Sequence, residues 1–165
     1  MLSSYDNYRM DNRTEEEFME DILEGAIIER DIIERYARYV LRVYGISIVI
    51  TDNGCDNSGE FLLEGQVNTK ADYLINSKPC EIKHFKPNFG ELPVKSGPMQ
   101  KYLDQGARIL LVNGYNSTQP KFTLIQPEQI REIIDTMAPV PYAPWGGKMV
   151  YMLHKDNFKW NNLDK

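Results

Sequence analysis

Apolar and polar positions along the chain follow two rhythms, one helical and one of strands. From Phe18 to Tyr44 the apolar residues recur every three or four positions. On a helical wheel Phe18, Ile22, Ala26, Ile33, Tyr36, Val40, Val43 and Tyr44 gather on one side, with Glu20, Glu24, Asp31, Glu34, Arg35, Arg38 and Arg42 opposite. Thr14 stands three residues before Glu17, a capping-box pair, so the helix is predicted to start there. Gly45 is placed to take the left-handed conformation that closes it. One residue breaks the rhythm. Glu29 falls near the centre of the apolar side, with Ala26, Ile32 and Ile33 about one turn away. A carboxylate there must be paired or must bind a cation, because burying it alone costs several kcal/mol.

Beyond Gly45 the period shortens. The β-branched run Ile46–Thr51 predicts a strand buried on both faces. Shorter strands are predicted over 61–65, 67–75 and 79–85, the last two joined by the turn "NSKP". Pairing Ile75 with Cys80 in that hairpin sets Asp72 opposite Lys83. Side chains alternate along a strand, so Asp72, Glu81 and Lys83 then share a face.

Residues 86–98 read as irregular, 99–106 as a helix of two to three turns, and "ARILLVNG" as a buried strand. "KFTLI" is a strand, "QPEQIREIIDTM" a helix with Pro127 in its first turn, and "KMVYMLHK" a final strand after the linker "APVPYAPWGG". The whole predicts an α/β or α+β domain: a mixed sheet flanked by helices, over residues 14–165, behind a flexible arm at 1–13.

Composition narrows the function classes. A chain of 165 residues, 42% hydrophobic and 26% charged, suits one domain with a real core. No apolar run has membrane-spanning length and the N-terminus has no secretory pattern, which predicts a soluble cytoplasmic protein without a membrane partner. Cys55 and Cys80 are too isolated for a zinc knuckle and read as reduced thiols. The net charge of −5 argues against a protein that coats nucleic acid. Locally the balance reverses. Lys78, Lys83, Lys86, Lys95, Lys101 and Arg108 outnumber Glu81, Glu91 and Asp104 over 78–108, whereas 15–24 is acidic. Lys86, Lys95 and Lys101 are the candidate phosphate contacts. His84 alternates away from Glu81 and Lys83 and reads as a packed histidine. Tyr142 and Trp145 either stack on unpaired bases or cover a sheet edge or dimer face.

Asp72 followed by "EIK" at Glu81–Lys83, after a long helix with an inward Glu29, resembles the active-site signature of the PD-(D/E)XK nuclease superfamily. "GAIIERDIIERY" around Glu29 is similar to the helix of Holliday-junction resolvases, and "GPMQKYLDQGARILLVNG" to the helix and strand that follow the lysine, with Gln100 at the position of a frequent glutamine. The resemblance spans roughly 25–114, with Ala71 where a proline usually precedes the aspartate.

It implies a restriction-endonuclease-like core. It also implies a Mg²⁺-dependent DNA endonuclease, with Mn²⁺ as substitute; recombination, repair, phage DNA processing and host-DNA degradation all stay open as its role. Asp72, Glu81, Glu29 and the Ile82 carbonyl would then be metal ligands, Lys83 and Gln100 would join the catalytic group, and a homodimer would cut two strands. Hard cations take oxygen ligands and activate water, which suits these residue types without the family. Two further readings stay open: a nucleic-acid-binding domain without catalysis, and an interaction module that docks the acidic face of 15–24 on a basic partner.

Overall fold

The first helix, α1, runs over Glu15–Tyr44, as predicted. Its capping box is reciprocal. The Glu17 amide donates to Thr14 Oγ1 at 3.1 Å and the Thr14 amide to Glu17 Oε2 at 2.7 Å, while Gly45 closes the other end at φ 68°. The computed structural model describes residues 14–53 and 70–164. The arm at 1–13, Cys55 and the strand expected at 61–65 lie outside them, as do residues 67–69 of the next.

The remaining elements are β1 (Ile50–Asp52), β2 (Tyr73–Ile75), β3 (Lys78–Phe85), β4 (Glu91–Lys95), α2 (Met99–Asp104), β5 (Arg108–Asn113), β6 (Lys121–Ile125), α3 (Pro127–Thr136), β7 (Val140–Tyr142), β8 (Lys148–His154) and β9 (Asn161–Asn162). Among the described residues six strands form a mixed sheet in the order β1-β2-β3-β5-β6-β9, in which β3 and β5 run parallel and the other pairs antiparallel. A second sheet of three strands, β4-β8-β7, stands beside it. The chain is therefore α+β, with a long N-terminal helix and a mixed central sheet.

The sheet has two apolar faces, and each is covered. Ile28, Ile32, Ile33, Tyr39 and Val40 of α1 pack on Tyr73, Ile75, Cys80, Ile82, Leu110 and Val112. Alternate residues Ile109 and Leu111 face the other way, against Met99 and Tyr102 of α2, Ile130 and Ile133 of α3, and Leu92, Val94, Tyr151 and Leu153 of the small sheet. Arg35 fixes α1 at its middle. It bonds both Asp164, with Nε at 2.9 Å from Oδ1, and Asp31, which also accepts the Tyr115 hydroxyl at 2.6 Å. A helix of 30 residues is about 45 Å long, roughly twice the length of the six-residue strand β5. It overhangs the sheet, so Val43 and Tyr44, expected inward, are exposed.

Four further expectations need correction. β1 is a three-residue strand at the edge of the sheet among the described residues, and Ile46 and Val49 are exposed, so this apolar run is not a strand buried on both faces. The stretch expected to be irregular contains β4. Its Pro93 is compatible with an edge position, where one side of the strand needs no donor. The linker "APVPYAPWGG" holds β7 and a short 3₁₀ turn, Ala143–Trp145, and β8 is followed by β9, so "KMVYMLHK" is not the final strand.

The fourth correction is the register of the hairpin. Ile75 pairs with Lys78, Leu74 with Pro79 and Tyr73 with Cys80, two residues away from the expected pairing. The turn is tighter than foreseen: Asn76 and Ser77 alone form it, with φ of 49° and 69°, the double left-handed pattern of a type I′ turn. Asn76 also accepts the Val49 amide at 2.9 Å. In a two-residue hairpin the closing pair is hydrogen-bonded and the next is not, so the nitrogen of Pro79 points away from β2 and its missing donor is not needed there. A shift of two preserves the faces, and Asp72 keeps the side of Glu81 and Lys83.

Ser77 is the strained half of this turn, since a β-carbon is disfavoured at positive φ. Ser77→Gly is expected to stabilise the protein by about 0.5–1 kcal/mol in urea denaturation. An unchanged or lower midpoint would mean that the turn is not of this type.

Candidate functional site

The two strands of the hairpin part at Asp72. The register continued from Tyr73↔Cys80 would bring the Ala71 carbonyl to the Ile82 amide. Instead Ala71 is held elsewhere: its amide donates to Gln105 Oε1 at 3.0 Å and its carbonyl accepts Asn53 Nδ2 at 3.1 Å. The Ile82 amide donates to Asp72 Oδ2 at 2.9 Å, so a side-chain carboxylate stands where a strand carbonyl would. Beyond that point β3 pairs only with β5 among the described residues. Amide and carbonyl of one strand residue point to the same side. The Ile82 carbonyl therefore faces the gap that β2 leaves, on the same side as the Asp72 carboxylate.

Glu81 and Lys83 project from β3 toward α2. Glu81 is only 6% exposed and receives two donors on one oxygen: Lys83 Nζ at 2.8 Å and the Tyr102 hydroxyl at 3.0 Å, both to Oε1. Glu29 comes from α1, which covers the opposite face of the sheet. It lines the same cleft as Ile82 and Lys83, and its charge is felt at Asp72. The gap at the edge of β3 lets a helix residue and strand residues from two faces meet.

The electrostatics are those of three carboxylates with one ammonium. Burial pushes the Glu29 carboxyl up to about 7, and the Glu81 charge adds to it against a smaller opposing effect of Lys83. Asp72 is raised well above the usual carboxylate range, first by burial and then by Glu81 and Glu29, despite the Ile82 amide that stabilises its charge. Burial alone would lower the Lys83 ammonium, but Glu81, Tyr102 and Asp72 outweigh it and the net direction is upward. Lys83 is thus a fixed cation at neutral pH. Among the described residues no three Asp, Glu, His or Cys side chains are already gathered as a ligand cage. The carboxylates are neighbours whose mutual repulsion a hard cation would relieve, and their oxygens are the donors such an ion takes.

The other predicted residues divide. Gln100 is exposed and donates to Asp104 at 2.9 Å across one turn of α2, so it does not join the carboxylates. The inward residues of α2 are Met99 and Tyr102. Lys86 is paired with Glu24 at 2.6 Å, Lys101 is exposed on α2, and Lys95 lines the cleft with its ammonium 5.9 Å from the Trp145 ring. His84 lies half-buried beside Tyr115 and is pushed down to about 4 by burial, with Lys83 and Lys86 adding, so it is neutral at pH 7. His154 is exposed and accepts the Asp156 amide. Sequence reasoning missed Tyr102, Gln105, Asn53 and Lys148. Only Tyr102 carried a signal, its three-residue spacing from Met99.

Comparison of the chain with protein-family models, curated proteins and solved structures finds no match. No described helix is long and apolar enough to cross a membrane.

The raised carboxyl of Glu29 has a testable consequence for stability. A group that binds its proton more tightly when folded contributes stability below its ordinary value of 4.5, and that contribution is lost as pH rises through about 7. Glu29→Gln removes the effect. In chelator, the variant is expected to match the parent near pH 4.5 and to exceed it by roughly 2–3 kcal/mol above pH 8, measured by denaturant unfolding. Parallel pH profiles for the two proteins would show that Glu29 titrates normally.

Proposed function

We propose that this chain is a metal-dependent phosphodiester hydrolase, a DNA endonuclease on a restriction-endonuclease-like core. The observation that carries the reading is the parting of β2 and β3 at Asp72, which sets Asp72, Glu81, Lys83 and the Ile82 carbonyl around one gap with Glu29 beside it. In this reading Asp72, Glu81 and the Ile82 carbonyl would hold Mg²⁺, or Mn²⁺ in its place, with Glu29 lining the same cleft. Such an ion would supply Lewis acidity at a phosphate oxygen and lower the pKa of water so that it could be deprotonated near neutral pH.

The chain's own groups divide the remaining tasks. Lys83 keeps its proton, so it acts by charge: its ammonium offsets the negative charge that gathers on the phosphate in the transition state. Lys83 is held protonated by Glu81, so of the two only Glu29 offers a carboxylate that can take a proton from water. Tyr102 and Lys83 both bond Oε1 of Glu81, which leaves Oε2 as the oxygen that could take a metal ion. Lys95 and Lys148 on the cleft wall suit the phosphates on either side of the cut. A pair of copies would place two such gaps on two strands.

Cleavage is expected on a panel of duplex, single-stranded, flapped and four-way DNA, with Mg²⁺ or Mn²⁺ and not in chelator. Asp72→Asn and Lys83→Ala should each lower kcat by on the order of 10² to 10³, with far-UV circular dichroism unchanged. Activity that survives both substitutions, or a folded protein inert on every DNA and RNA substrate with both ions, would sink the proposal. Binding without cleavage would favour the non-catalytic reading.

A further inference from the structure

The carboxylate gap opens on a cleft of about 540 Å³ whose far wall is the small sheet. A second cleft of about 510 Å³ continues it, and the two share His84, Phe85, Pro93 and Trp145. Trp145 sits at their junction on a loop that its backbone holds tightly. Gly146 and Gly147, at φ of 67° and 81°, turn the chain there, and their amides donate to Ala143 and Tyr142 at 3.0 Å each. The Tyr142 ring meets the indole at 81° with centroids 4.9 Å apart. The indole is thus set in place before any ligand arrives.

The two halves differ in charge. In the half nearest the carboxylate gap Lys83, Lys95 and Lys148 stand against Glu29, with Lys83 paired to Glu81. Asp21, Glu24 and Glu91 line the other, where Lys86 is already neutralised by Glu24. A duplex carries a phosphate charge about every 1.7 Å of its axis, and a backbone that ran through both halves would meet carboxylates in the second. A nucleobase carries no charge, has a π-face for the indole, and in adenine, cytosine and guanine has amino donors that carboxylates accept.

We propose that the joined cleft binds a nucleic-acid strand at an unpaired nucleotide, whose base stacks on Trp145 while its phosphates lie along Lys83, Lys95 and Lys148. The substrate is then single-stranded, or a duplex interrupted at one nucleotide, in place of a continuous double helix. Lys95 lies 5.9 Å from the indole, so a stacked base has a cation at hand for its own phosphate. Only the position of a cut beside that nucleotide rests on the hydrolase reading; the stacking does not.

Fluorescence isolates the contact. The chain has two tryptophans, and Trp160→Phe leaves Trp145 as the reporter. In chelator, this protein is titrated with a single-stranded oligonucleotide, a blunt duplex, and the same duplex with one unpaired nucleotide. The first and third are expected to quench Trp145 and to bind about tenfold more tightly than the blunt duplex. By anisotropy of labelled DNA, Trp145→Ala should bring the three dissociation constants within about twofold, while Trp145→Phe keeps most of the preference. Equal affinity for the blunt duplex, quenching that does not occur, or a preference that survives Trp145→Ala would each overturn the proposal. Stacking without cleavage would leave it standing and overturn the hydrolase alone. Cleavage of blunt duplex with Trp145 silent would do the reverse.

Discussion

The bond from the Ile82 amide to the Asp72 carboxylate decides what the edge of β3 becomes. Had the Ala71 carbonyl taken that amide, β2 would have continued along β3 and satisfied its backbone groups in an ordinary ladder. The Asp72 carboxyl group satisfies the same donor. The strand can therefore leave without stranding a buried amide. Gln105 and Asn53 fix the departing backbone at Ala71, so the parting is built from three side chains and does not depend on a loop drifting away.

The gap so made is costly to maintain electrostatically, and the apolar layers around it bear that cost. Glu29 follows Ile28 and precedes Ile32 and Ile33 on α1, all three buried against the sheet, so the helix is held with Glu29 at the cleft. Glu81 lies between Cys80 and Ile82, each in the core under α1, and its alternation drives it toward Tyr102. Two packed faces thus hold three carboxylates closer than they would choose. Lys83 relieves one of them through Glu81. The upward shifts of Glu29 and Asp72, caused first by burial and then by the neighbouring carboxylates, are the part it leaves unrelieved.

Legibility in the sequence followed how local the cause was. α1 was legible to the residue because a capping box, a periodic face and a closing glycine all lie within it. Glu29 was legible for the same reason: its anomaly is visible against its own helix. The hairpin register was not, since the turn uses Asn-Ser where glycine would announce a type I′ turn, and only the even shift preserved the face of Asp72. β4 was hidden by Pro93, which is disqualifying in a central strand and harmless at an edge, and being at an edge is a fact of topology. The run from Ile46 to Thr51 misled in the opposite direction, because composition cannot say how many neighbours a strand has.

The glutamine on α2 shows the same limit at the site itself. Gln100 and Tyr102 differ by two positions, which on a helix is about 200°, so only one of them can face β3. The phase of α2 is set by Met99, fully buried at the start of the helix, and Tyr102 lies one turn on beneath it. The hydroxyl that reaches Glu81 is therefore a consequence of core packing, and it leaves the polar amide on the surface with Asp104. Tyrosine in that place donates one hydrogen bond and brings a ring that covers Lys83 on one side, with its centroid 5.6 Å from the ammonium. An amide would satisfy Glu81 but would leave Lys83 wetter and freer to move. The aromatic partner keeps the ammonium close to Glu81, in surroundings drier than bulk water, where their attraction is stronger.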